Sequence, residues 1–265
     1  MVRAITAIVL AFAILSAIWF MPITLFSILI VVVTALAASE YSHLIGFKPL
    51  ERILLVIAIV TTNLTMIFFA DQLELSFILL VGIIFFLALY YMKTSADPSP
   101  VLMKLGFCSF GLVYIGITMA IWIWLRDLPG GREWVLLTLV PACLCDTFAY
   151  AFGKTIGKRK FAPQTSPNKT WEGFFGALLG SLVGAFVIRQ IFIPTFSAWH
   201  TIAIAFGLWI VSPLGDLVES MLKRSLGVKD SGKLIPGHGG ILDRLDALIF
   251  SGPFVYFYLK FIVGI

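Results

Sequence analysis

The chain has 265 residues, 60% hydrophobic and only 12% charged, with a mean hydropathy of +1.02. Ordinary globular domains carry roughly 25% charged residues, so this composition excludes a water-soluble globular fold and points to a bilayer. The formal charge of +5 does not indicate a nucleic-acid partner, because the cations are sorted by loop and do not form one basic surface. Cys108, Cys143 and Cys145 lie in apolar runs without a CxxC pair. They read as small buried hydrophobes in preference to a disulfide or metal framework.

Apolar runs at 4–20, 23–39, 53–70, 75–92, 108–125, 134–152, 173–193, 199–215 and 247–263 each approach the roughly 20 residues that a bilayer core requires. The expected fold class is an all-α polytopic membrane protein of about nine transmembrane helices. The first run follows Arg3, is too long for the apolar region of a signal peptide and flows into the next after Pro22, so it reads as a retained anchor.

Lys and Arg set the orientation. Arg3, Lys48, Arg52, Lys93, Lys104, Lys154, Lys158, Arg159, Lys160, Lys169, Lys223, Arg224, Lys229, Lys233 and Arg244 fall on one side of this arrangement, leaving Arg126, Arg132, Arg189 and Lys260 for the other. The N-terminus is therefore expected in the cytoplasm and the C-terminus outside, with the two long polar loops cytoplasmic.

Two regions follow. Residues 1–130 form apolar helices suited to lipid access or to contacts in a homodimer, with no residue-level argument between these roles. Residues 131–265 hold nearly all the polar chemistry, with loops at 153–172 and 216–246. A glycine ladder, Gly176, Gly180 and Gly184, marks close helix packing in the seventh span.

Three polar constellations stand out. In the first, Asp146, Tyr150, Lys154 and Gly157 recur at helical spacing as the sixth span leaves the membrane. A carboxylate so near hydrocarbon is costly and is a functional candidate by default, a structural ion pair with a loop lysine being the alternative. Gly153-Lys154-Thr155 resembles the end of a P-loop, but Phe148 occupies the position of the required earlier glycine. The second runs from Ser166 to Gly173, where Lys169 and Thr170 suit a phosphate and Trp171 suits the interfacial aromatic belt. The third is the longest polar passage, Ser212 to Asp246. A helix continuing past Pro213 places Asp216, Glu219, Ser220, Lys223 and Arg224 in one stripe, acidic near the membrane and basic beyond it. Asp243 and Asp246 share a face at i, i+3. Carboxylates from two helices suit one or two divalent ions completed by substrate phosphates. The glycines flanking His238, including Gly239 and Gly240, are free to form an anion nest. His238 itself reads equally as a ligand donor or as a turn-stabilising residue.

The series Ser220-x-Leu222-Lys223-Arg224-x4-Lys229-Asp230-x-Gly232-x2-Ile235-Pro236-x-His238-Gly239-Gly240-Ile241-x-Asp243-Arg244-x-Asp246 resembles the signature of the phosphatidate cytidylyltransferases, or CDP-diacylglycerol synthases. Asp146, Tyr150, Gly153, Lys154, Ser166, Pro167, Lys169, Thr170, Trp171, Glu172 and Gly173 resemble that family's upstream block. The resemblance implies a magnesium-dependent enzyme of the bacterial cytoplasmic membrane, active on its cytoplasmic side. It would join CTP to phosphatidic acid and release pyrophosphate. On this reading Asp216, Asp243 and Asp246 hold the metal, with one or two divalent ions and room for a second kind of cation. Lys223, Arg224, Lys229 and Arg244 neutralise the triphosphate, Asp230 belongs to the signature, and His238 binds without transferring a proton. Asp146, Tyr150, Lys154, Ser166, Lys169, Thr170, Gly239 and Gly240 line the substrate pocket. Rival readings are a CTP-dependent polyprenol or lipid kinase and a membrane transporter. A CDP-alcohol phosphotransferase is disfavoured because Gly239-x3-Asp243-x2-Asp246 misses its motif spacing.

Overall fold

The computed structural model describes residues 12–95, 97, 99–232 and 239–265, with Ser99 described by its backbone alone. Eight helices among the described residues are long and apolar enough to cross a bilayer, and they match the second to ninth expected runs. The first run lies mostly outside the described residues; its described part, 12–20, is helical (α1). The others are α2 (Ile23–Leu44), α3 (Pro49–Phe68), α4 (Leu73–Thr94), α5 (Ser99–Gly111), α6 (Thr118–Asp127), α7 (Gly131–Thr155), α8 (Trp171–Phe192), α9 (Ala198–Ser225) and α10 (Leu242–Tyr258). A π segment, Leu112–Ile117, joins α5 to α6 as one span, and a second, Leu259–Val263, extends α10. The chain is an all-α polytopic membrane protein.

Helix ends follow local chemistry. Gly46, at φ 72°, closes the turn after α2, a left-handed conformation that favours glycine. Pro49 then opens α3, where a missing N–H costs nothing, and Glu51 accepts from the Lys48 N–H at 2.9 Å. The end of α9 is a Schellman motif: Gly227 sits at φ 72°, its N–H donates to Arg224 O and the Val228 N–H donates to Lys223 O.

The helices cluster into two compact units. One is Pro22–Trp124; the other joins the chain before Pro22 to Leu125–Ile265. In the first unit, Tyr41 Oη donates to Phe107 O at 2.8 Å, Asn63 Nδ2 to Gly116 O at 3.1 Å and Trp124 Nε1 to Met66 O at 3.0 Å. Lys104 Nζ meets Glu51 Oε1 at 2.5 Å. In apolar surroundings, where burial of hydrocarbon gives no advantage over lipid, such side-chain bonds and close packing hold helices together.

In the second unit α7 and α8 lie backbone to backbone. A Cβ on Gly173 would meet Ala149 O, on Gly176 the Phe152 side chain, on Gly180 the Leu144 carbonyl and on Gly184 Pro141. The glycine ladder thus does the packing expected of it. Cys145 Sγ donates to Ala177 O at 3.4 Å, Ser181 Oγ to Ala205 O at 2.7 Å and Trp209 Nε1 to Phe174 O at 2.6 Å. These bonds tie α8 to α7 on one side and to α9 on the other. Gly207 faces the Phe254 ring and Gly215 faces Asp246 O, so α10 lies equally close to α9. Arg126 Nη2 donates to Met21 O at 3.2 Å and Ile18 O at 3.4 Å, covering the last carbonyls of α1.

The stretch between α7 and α8 is ordered as an antiparallel hairpin of β1 (Lys160–Ala162) and β2 (Ser166–Thr170), with Lys160 opposite Thr170 and Ala162 opposite Ser166. The expected loop at 153–172 therefore contains two short strands.

The ladder gives a direct test. Gly180→Ala should lower stability by about 1–3 kcal/mol, because the added methyl has no room against the Leu144 carbonyl. Gly106→Ala has nothing within 4 Å of the new methyl and should be neutral or stabilising by up to about 1 kcal/mol. Thermal unfolding midpoints of the two variants in detergent, each against the parent, provide the check.

Candidate active site

Three carboxylates converge from α7, α9 and α10. Asp146 lies within electrostatic reach of Asp216, Lys169 and Arg244, and Asp246 within reach of both Asp216 and Asp146. The backbone contact at Gly215 makes this closeness possible, because it seats Asp216 beside the turn of α10 that carries Asp246. Lys169, from β2, reaches into the group. Its Nζ lies 2.8 Å from Asp216 Oδ2 and donates to Pro213 O at 3.3 Å. Ser220 Oγ donates to the other Asp216 oxygen at 3.1 Å. Asp146 is exposed at the protein surface, and Asp216 and Asp246 are half-buried.

A second ionic group is closed. Lys223 Nζ pairs with Glu219 and, at 2.6 Å, with Asp243 Oδ1. The side chains of Lys223 and Asp243 are 11% and 10% exposed and that of Glu219 is fully buried. Asp243 also accepts from the Ser231 N–H at 3.1 Å and the Gly240 N–H at 2.8 Å. Both of its oxygens are therefore occupied by donors. Gly239, at φ 81°, comes so close to Asp243 Oδ2 that a Cβ there would contact it at 2.7 Å. This network fixes the two described edges of the α9–α10 connection to both helices.

The sequence-derived candidates thus divide. Asp146, Lys169, Asp216, Arg244 and Asp246 come together. Lys223, Asp243 and Gly240 belong to the closed network, with Gly239 beside it. Thr170 Oγ1 caps α8 by accepting from the Gly173 N–H at 3.1 Å, which gives the hydroxyl a defined structural task. Tyr150 and Lys154 pair with each other, Nζ to Oη at 3.4 Å. Gly157 packs under Thr170 and the Gly153 carbonyl. Ser166 takes its place in β2, opposite Ala162. Arg224 is exposed, donating to Thr165 O at 3.4 Å and Val228 O at 3.3 Å, and Lys229 and Asp230 are exposed beyond it. His238 lies outside the described residues.

Glu219 and Glu172 are the polar residues that sequence reasoning left without a role. Glu219 was legible as part of the α9 stripe, four residues before Lys223. Glu172 accepts from the N–H groups of Lys158 at 3.1 Å and Arg159 at 3.3 Å, a backbone contact that no residue spacing announces.

A metal would find hard oxygen donors here. Asp146, Asp216 and Asp246 supply only carboxylate oxygens, the donor type that suits magnesium or calcium over softer ions. Among the described residues no three His, Cys, Asp or Glu side chains are grouped tightly enough to hold an ion by themselves. That geometry fits an ion held by one or two carboxylates and completed by phosphate oxygens. Asp243, with both oxygens engaged, fits less well than its neighbours.

Known proteins resemble this chain over the same region and beyond it. The chain matches the sequence profile described as the cytidylyltransferase family over residues 1–262. It is 41% identical to the phosphatidate cytidylyltransferase of Bacillus subtilis over 157 residues, 59% of this chain and 58% of that protein. The corresponding protein of Staphylococcus haemolyticus is 42% identical over 151 residues, 57% of each chain. That of Staphylococcus epidermidis is 41% identical over 151 residues, again 57% of each. The matched stretch therefore spans less than two thirds of these relatives' lengths. With its profile match running nearly end to end, the chain belongs to the cytidylyltransferase family.

Proposed function

We propose that this chain is a phosphatidate cytidylyltransferase, converting CTP and phosphatidic acid to CDP-diacylglycerol and pyrophosphate. The observation that carries the reading is the convergence of Asp146, Asp216 and Asp246 from three spans, with Lys169 and Arg244 beside them. Its relatives of Bacillus subtilis and Staphylococcus haemolyticus, both phosphatidate cytidylyltransferases, support the same activity. On this reading the catalytic region is 131–265, and 1–130 serves lipid access or homodimer contacts. The distribution of Lys and Arg supports a cytoplasmic N-terminus and a site on the cytoplasmic side, and the bacterial relatives support a bacterial cytoplasmic membrane.

The reaction joins two polyanions. A phosphate oxygen of phosphatidic acid attacks the α-phosphorus of CTP, and the bond to the β-phosphate oxygen breaks, releasing pyrophosphate. The nucleophile is already an anion, so positioning and charge neutralisation dominate and no strong base is required. A divalent cation, magnesium on this reading, supplies charge neutralisation at the phosphates, held by Asp216 and Asp246 with Asp146 next to them. Lys169 and Arg244 bring positive charge to the same crevice. Lys169 must exchange part of its bond to Asp216 for a phosphate oxygen, a low-cost swap between two charge-assisted contacts. Arg224 and Lys229, exposed at the outer end of α9, meet the triphosphate as it arrives. Asp243 holds Lys223 and the two glycines after His238 in register, which supports the site from below.

CTP labelled in its α-phosphate should deliver label to chloroform-extractable lipid when phosphatidic acid and magnesium are supplied. Transfer of the γ-label in its place would establish the lipid-kinase reading. Asp246→Asn should lower the rate at least about 100-fold with an unchanged unfolding midpoint. Asp243→Asn should lower both.

The closed network yields a stability prediction. Lys223→Met leaves Glu219 and Asp243 buried without their shared cation and should cost about 3–5 kcal/mol. Adding Glu219→Gln should recover part of that loss, because one of the two stranded charges is gone. Chemical or thermal unfolding of the single and double variants in detergent measures the coupling.

A further inference from the structure

We propose that the basic run of Lys158, Arg159 and Lys160, which leads into the β1–β2 hairpin, is a docking surface for the anionic headgroups of the surrounding leaflet, separate from the crevice that Lys169 of β2 enters. The inference does not depend on the reaction assigned above. Lys158, Arg159 and Lys160 are consecutive and all exposed. None of them forms a salt bridge among the described residues. The nearest acid along the chain, Glu172, accepts from the backbone N–H groups of Lys158 and Arg159, with the Arg159 guanidinium within electrostatic reach of it, and all three cations remain exposed.

The hairpin is also tied at both ends to candidate membrane spans. It joins the end of α7 at Thr155 to the start of α8 at Trp171, so both of its ends are the ends of spans. Phe161 packs edge-on against Trp171, with ring centroids 4.7 Å apart, and stacks on Phe174 at 5.0 Å. The Trp171 N–H donates to Arg159 O at 3.0 Å. Beside the cations lie exposed apolar side chains: Ile156 is 54%, Trp171 43% and Phe175 58% exposed. Cations next to an aromatic fringe, on a strap that cannot leave the bilayer plane, match an interface in which rings sit at headgroup depth and ammonium or guanidinium groups meet lipid phosphates. Charge complementarity selects acidic lipid over zwitterionic lipid. Each basic residue at such a surface strengthens association about five-fold.

The test titrates three short-chain lipids, dihexanoyl phosphatidylglycerol, dihexanoyl phosphatidylcholine and dihexanoyl phosphatidic acid, separately into the purified protein in an uncharged detergent, with calorimetric detection. Phosphatidylglycerol should bind at least about 10-fold more tightly, and that preference should fall as salt is raised. The variant carrying Lys158→Gln, Arg159→Gln and Lys160→Gln should lose the preference while keeping its affinity for phosphatidylcholine and its unfolding midpoint. A charge-preserving variant, Lys158→Arg with Lys160→Arg, should retain the preference. Equal binding of phosphatidylglycerol and phosphatidylcholine by the parent chain, or a preference that survives neutralisation of all three cations, would overturn the proposal. A preference for dihexanoyl phosphatidic acid with none for phosphatidylglycerol would also overturn it, by assigning the cations to the substrate lipid. The salt titration uses the parent protein alone, so the idea stays testable if a variant does not fold.

Discussion

Backbone proximity is the constraint on which the site rests. Where α8 meets α7, glycine stands at 173, 176, 180 and 184, and where α9 meets α10 it stands at 215; at each a side chain would strike the neighbouring helix. Hydrocarbon surroundings give no hydrophobic push between helices, so this closeness must come from shape. Once it is granted, much follows. Asp216 is brought beside Asp246, Asp146 faces both, and the hairpin leaving α7 turns back with Lys169 directed at Asp216. A wider separation would leave each carboxylate alone at the edge of the membrane, where an isolated charge is most costly.

Charge in the second unit is partitioned into two groups of opposite character. Around Lys223 the carboxylates share one buried ammonium, and backbone N–H groups occupy what remains of Asp243. Around Lys169 three carboxylates gather where one lysine is paired with one of them. The first arrangement resembles a structural fastening, since breaking any one partner strands buried charge. The second keeps unspent capacity for cations and for anionic ligands that arrive with them.

Much of this could be read in the sequence, and what could not has identifiable causes. The spans were legible because runs near 20 apolar residues have few alternative explanations, and α9 does continue beyond Pro213 as the polar stripe required. Asp146 stood out because a carboxylate near hydrocarbon demands a reason. The grouping of carboxylates was less legible. Asp243 and Asp246, three residues apart, share a face only within about 60° and stand nearly a full turn apart along the axis. That offset sends Asp243 toward Lys223 and Asp246 toward Asp216. The hairpin was hidden because Pro163 and Pro167 interrupt any alternating pattern and prolines are poor strand residues. Thr170 looked like a phosphate ligand, yet a threonine directly before an apolar helix is also a favoured N-cap, and the cap is what the local geometry contains.

The π segment Leu112–Ile117 has a consequence for how helix contacts are encoded. In a regular α-helix, residues five apart point about 140° away from each other. A π turn, with its i→i+5 bonding, brings such residues nearly into line. Gly111 and Gly116 are five apart, and a Cβ on either would press on Ile59 of α3, on its side chain in one case and its carbonyl in the other. The two glycines therefore both make room for Ile59 of α3, with Gly111 also closing on Tyr41 of α2, although their spacing differs from the i, i+4 rhythm of small residues in membrane helices. Motif searches tuned to that rhythm pass over such pairs, and the irregular turn is what converts an out-of-phase pair into a matched one.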